Sequence, residues 1–121
     1  MYIERIEQLE KGRRRLVFET GERLVLYKGE IRSYLSEGQD ISETLYQELL
    51  FDVLGKRATK RAMHLLEKQD RTEYQLREKL RQNEYPKEAV EQAIAYVKSY
   101  HYIDDLRYAC SYVRYQKEKK S

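Results

Sequence analysis

The chain has 121 residues, of which 37% are charged, and 24 basic against 21 acidic residues leave a formal net charge of +3. That length supports one core, or one core with a small appendage, and the near balance of charges excludes a uniformly basic surface. No apolar run approaches the roughly 18 residues that cross a bilayer, or the apolar stretch of a signal peptide, so a cytoplasmic protein without membrane contact is expected.

The first forty residues read as β. IERIEQL alternates apolar and charged residues, and RLVFE and RLVLY flank Thr20-Gly21, where glycine can take the positive φ of a hairpin turn. These segments predict a three-stranded meander. A two-residue loop would set Glu19 against Glu22, so a longer loop is the alternative. Ile31, Tyr34 and Leu35 fall at helical spacing and predict a short helix over Lys28 to Leu35. Gly38-Gln39-Asp40 then marks a boundary.

From Ile41 the apolar period becomes helical. Ser42 can cap a helix whose stripe runs through Tyr46, Leu49, Leu50, Val53 and Leu54 and resumes at Ala58, Ala62, Leu65 and Leu66. Gly55 in the middle costs about 1 kcal/mol relative to alanine, and a bend or break is expected there. Thr72 and Gln75 have the spacing of a capping box and open the next helix, with Leu76 and Leu80 as its stripe and Asn83 as its terminator. Pro86, the only proline, suits the first turn of a third helix that buries Val90, Ala93, Ile94 and Val97. Asp104 predicts the N-cap of a fourth, with Asp105 in its first turn and Leu106, Ala109, Cys110 and Val113 as its stripe. Cys110, the one cysteine, permits no internal disulfide and reads as a small buried side chain.

Charge is distributed unevenly along this frame. Residues 41–54 hold three acids and no base, whereas residues 55–81 hold nine bases against four acids. On a helical projection Arg57, Lys60, Arg61, His64 and Lys68 share one sector, away from Ala58, Ala62, Leu65 and Leu66. Tyr74, Arg77 and Arg81 share a sector of the following helix. Such stripes suit phosphates or an acidic protein groove, although a solvated helix face has the same pattern. Tyr108, Tyr112 and Tyr115 make a second face on the fourth helix, suited to contact with a later repeat or another chain; base stacking beside Arg114 is the alternative.

Together, Arg71-Thr72 ahead of Leu76, Lys79 and Leu80, Tyr85 between helices, and Tyr102-Ile103-Asp104-Asp105 before Arg107-Tyr108-Ala109 resemble the first helical repeat of the RecX family. Residues 1–40 resemble the β-rich extension of some members, and residues 41–69 the linking region and first repeat helix. The resemblance implies an α+β fold with two parts: a small amino-terminal β-meander in residues 1–40, then in residues 41–121 a three-helix repeat and the first helix of a second. Family members typically carry three such repeats, so this chain is expected to be a fragment or a short member. Glu84 and His101 stand where the family usually has a helix-ending glycine, and Leu106 replaces a usual acid.

What the resemblance implies is a non-enzymatic regulator that binds RecA recombinase filaments and inhibits strand exchange and RecA ATPase activity in DNA recombination, repair and the SOS response. Single- or double-stranded DNA is a further expected contact, and Arg57, Lys60, Arg61, Lys68, Tyr74, Arg77 and Arg81 are the candidate partner-binding residues. A stand-alone helical nucleic-acid-binding module is the alternative, and a structural adaptor a third. No enzyme, cofactor, metal or small-molecule substrate is expected. His64, His101 and Cys110 lack zinc-site spacing, no GxxxxGK[ST] phosphate loop is present, and Asp104-Asp105 is accounted for as a helix start.

Overall fold

The computed structural model describes residues 1–30 and 35–103. Three strands, β1 (Ile3–Gln8), β2 (Arg13–Phe18) and β3 (Arg23–Tyr27), form the expected antiparallel meander in the order β1-β2-β3. The β2–β3 connection takes the longer of the two expected forms. The Phe18 amide donates to the Glu22 carbonyl and the Gly21 amide donates to the Phe18 carbonyl, each at 2.9 Å, leaving Glu19, Thr20 and Gly21 as a three-residue loop. Gly21 has φ 92°, the left-handed residue that such a loop needs, and the offset keeps Glu19 and Glu22 from facing each other.

Register sorts the sheet into two faces. Ile3 pairs with Phe18 and Leu16 with Leu24; together with Leu26 these side chains are fully buried and join the helical core. Arg13 pairs with Tyr27 and Arg15 with Val25, so these four residues share the opposite face. Residues 36–41 run along the outer edge of β1, where the Ile3 amide donates to the Gln39 carbonyl and the Gly38 amide to the Ile3 carbonyl, both at 2.8 Å. The change of composition near residue 40 is therefore no gap in the packing, because one cluster of buried side chains runs from Ile3 through Leu54 to Val97. Of the helix expected over Lys28 to Leu35, Lys28–Glu30 forms a single 3-10 turn, and residues 31–34 lie outside the described part.

Ser42 caps α1 (Glu43–Gln47), its hydroxyl accepting from the Leu45 amide at 3.1 Å. Of the bend or break expected at Gly55, the helix does not break, though its winding changes there from π to α. A π-helical segment, Glu48–Gly55, joins α1 directly to α2 (Lys56–Lys68), and Gly55 itself is regular at φ −61° and ψ −44°. Its role is one of space. A Cβ at Gly55 would sit 2.1 Å from Gln92 Oε1, and Gln92 Nε2 donates to the Phe51 carbonyl at 3.2 Å. The wide turn offers a carbonyl to the helix that carries Gln92, and the missing side chain admits the group that takes it.

Helix α3 (Glu73–Gln82) opens with the expected capping box, both Thr72–Gln75 bonds measuring 3.1 Å. Pro86 is the N-cap of α4 (Lys87–Ser99), which buries Ala89, Val90, Ala93, Ile94 and Val97. Both helices end in the same motif. After α3, Glu84 at φ 64° donates its amide to Arg81 and Tyr85 donates to Leu80. After α4, His101 at φ 58° donates to Lys98 and Tyr102 to Val97. The two non-glycine residues do take the left-handed conformation, at a cost of about 1–2 kcal/mol each. The fourth helix expected from Asp104, with Cys110 and the Tyr108, Tyr112 and Tyr115 face, lies outside the described residues.

Candidate functional site

Helix α2 is polarised as its sequence periodicity requires, with Ala58, Ala62 and Leu65 buried and Lys60, His64 and Lys68 exposed. Its first turn abuts the sheet. There Arg57, whose side chain is only 21% exposed, pairs with Glu30 on the turn after β3. Its second terminal nitrogen donates to the Val25 carbonyl at 2.6 Å. The guanidinium also lies 4.9 Å from the Tyr27 ring and 5.4 Å from the Tyr85 ring. One side chain thus ties α2 to β3 and to the α3–α4 connection. Such a cation has spent its charge and stacking capacity inside the molecule.

One turn further, Arg61 Nε donates to Asn83 Oδ1 at 3.2 Å, and among the described residues its terminal nitrogens have no partner. Lys60 and Lys68 stand exposed with no ion pair among the described residues. On α3, Arg77 is fixed between Glu91, at 2.9 and 3.1 Å, and Glu73 at 3.1 Å. Glu73 also receives Lys98 Nζ at 2.9 Å. Hydrogen bonds from Lys98 and Arg77 hold the Glu73 carboxyl below its ordinary value; the Lys98–Glu73 and Arg77–Glu91 pairs tie α3 to α4, while Arg77–Glu73 lies within α3. Arg81 is 65% exposed, with Glu78 at 2.6 Å, and Tyr74 is 71% exposed. The seven candidate residues therefore divide. Arg57 and Arg77 clamp elements together, whereas Lys60, Arg61, Lys68, Tyr74 and Arg81 offer polar atoms or a ring outward.

A concave groove of about 450 Å³ adjoins this face, between the polar side of β2 and β3 and the α3–α4 connection. Arg13, Arg15, Arg57 and Arg61 line it, along with Glu84, Tyr27 and Tyr85. Arg15 holds both Glu84 carboxylate oxygens, with contacts of 2.8 to 3.0 Å, and approaches Glu7 at 3.5 Å. The helix projection missed Arg13, Arg15 and Glu84. Two signals pointed to them: the alternate positions in Arg13-Arg14-Arg15, which a strand turns to one face, and a glutamate in the place of a helix-ending glycine.

No group of three or more histidine, cysteine, aspartate or glutamate side chains suited to a metal ion occurs among the described residues. Nor is any described helix long and apolar enough to cross a membrane.

Residues 58–96, which span nearly all of α2 together with α3 and most of α4, match the model of the RecX first three-helix domain. The regulatory protein RecX of Caldanaerobacter subterraneus subsp. tengcongensis is 32% identical over 115 residues, covering 93% of this chain and 58% of that protein. That of Clostridium acetobutylicum is 30% identical over 80 residues, covering 66% of this chain and 37% of that protein. A crystal structure of regulatory protein RecX superposes with a TM-score of 0.53 at 28% identity, over 93% of this chain and 57% of that one. The chain thus spans between about a third and three-fifths of the length of these relatives.

Proposed function

Because this chain belongs to the RecX family of regulatory proteins, we propose that it acts as a non-enzymatic regulator that docks on RecA recombinase filaments and lowers their strand exchange and ATP turnover. The observation that carries this reading is the α2–α3–α4 triplet, which matches the first RecX repeat and turns Lys60, Lys68, Tyr74 and Arg81 to solvent. In this reading those residues, with Arg61, meet the filament, whether its protomers or its DNA. Arg57 and Arg77 keep the face in shape. Such a role belongs in the cytoplasm, in recombination, DNA repair and the SOS response.

Exposed cations set beside an aromatic ring favour a target with a regular negative surface. Co-sedimentation with RecA filaments on single-stranded DNA tests this directly. The chain is expected to pellet with filaments far better than with the DNA alone, and Lys60→Glu/Lys68→Glu/Arg81→Glu to pellet less. Equal pelleting with bare DNA would replace the regulator by the stand-alone nucleic-acid-binding module, and no pelleting with either would leave only the family's fold.

A further inference from the structure

Apart from Arg61, no residue lining the groove on the polar face of the sheet takes part in the filament contacts just described. We infer that it is a docking site for an acidic segment of a partner polypeptide, whose carboxylates are bound by the terminal nitrogens of Arg13 and Arg61. Four guanidiniums line the groove, and two are already compensated: Arg15 by Glu84, and Arg57 by Glu30. Arg13 and Arg61 are not. Among the described residues each is held only through Nε, Arg13 to the Glu10 carbonyl at 3.3 Å and Arg61 to Asn83 Oδ1 at 3.2 Å, so that each is oriented with its fork unused by them. Neither has a carboxylate partner among the described residues.

The chemistry of the lining selects a polypeptide over a phosphodiester strand. Glu84 already lies in the groove with both oxygens on Arg15, a bidentate carboxylate arrangement within the same walls. The Tyr27 and Tyr85 rings supply apolar surface that the side chains between acids would cover. A nucleic-acid strand would bring bases to the two rings, but its phosphates are better served by the exposed lysines of α2. A volume of about 450 Å³ lies in the range of sites that enclose a small ligand or a few side chains.

The test uses the whole chain and no RecA, so its failure is distinct from failure of the filament reading. A fluorescein-labelled peptide of Asp-Glu-Leu repeats is titrated by anisotropy against wild type, Arg13→Gln/Arg61→Gln and Lys60→Gln/Lys68→Gln, with labelled oligothymidylate as the competing probe. Removing the two forks is expected to weaken peptide binding about tenfold or more, and the lysine changes to leave it within about twofold. In wild type the peptide is also expected to shift the Arg13 and Arg61 Nε–Hε NMR cross-peaks, a readout that needs no variant to fold. Equal loss in both variants, cross-peaks that stay in place, or oligothymidylate binding more tightly with the same dependence on Arg13 and Arg61 would each overturn the inference.

Discussion

Arg57 and Lys60 lie one helical turn apart on the same sector of α2, yet they have different physical lives. Arg57 holds Glu30, the Val25 carbonyl and two tyrosine rings, whereas Lys60 stands in solvent. The same split recurs on α3, where Arg77 is fixed by Glu73 and Glu91 while Arg81, among the described residues, pairs only with its neighbour Glu78. A basic stripe in a helical projection is thus part clamp and part contact surface. Evenly spaced cations do not reveal which is which, because the difference lies in what the rest of the fold brings to each.

The largest expected effect separates the two kinds directly. Arg57→Ala removes the ion pair to Glu30, which keeps only the Tyr27 amide at 2.8 Å among the described residues, and removes the bond to the Val25 carbonyl and two ring contacts; it should cost about 2 kcal/mol in urea unfolding, whereas Lys60→Ala should stay within about 0.5 kcal/mol. Equal small effects would mean that Arg57 is not a clamp.

The paired helix ends sharpen the comparison. Glu84 and His101 occupy the same left-handed position, but only Glu84 spans to the sheet, through Arg15. His101→Gly should stabilise by about 1 kcal/mol, while Glu84→Gly should come out near zero, since relief of backbone strain is offset by loss of a partly exposed ion pair worth up to about 1 kcal/mol. Thermal unfolding of the two variants side by side measures this.

The Glu73 contacts predict a pH effect. Its carboxyl is held below its ordinary value by Lys98 and Arg77, so the stability it contributes is present above the pKa of the unfolded chain. That stability is lost as pH falls through the lower folded value. Glu73→Gln should therefore flatten the acid limb of stability against pH below the ordinary glutamate range and leave the alkaline limb unchanged. An unchanged acid limb would remove Glu73 from the α3–α4 tie.

How far the sequence discloses this arrangement follows from distance along the chain. The Thr72–Gln75 capping box, the Ser42 cap and the meander are legible because both partners lie within a few residues or share one alternation. Gly55 misleads because its helix propensity argues for a break, while the reason for glycine is Gln92, remote in sequence, entering where a Cβ would stand. Arg57–Glu30, Arg77–Glu91 and Arg15–Glu84 are legible only once the elements are packed, so the division of the basic residues into clamps and contacts was out of reach. The left-handed helix ends could be foreseen from Glu84 and His101 standing in the place of glycine, though the use of Glu84 as a tie to the sheet could not.

The smallest expected change in stability belongs to the exposed cations, and they carry the functional claim. Steady-state ATP hydrolysis by RecA on single-stranded DNA, titrated with this chain, tests it most directly. Turnover should fall progressively with wild type and fall much less with Lys60→Glu/Lys68→Glu/Arg81→Glu of equal thermal stability. Turnover that stays level at concentrations well above that of RecA protomers would contradict the account.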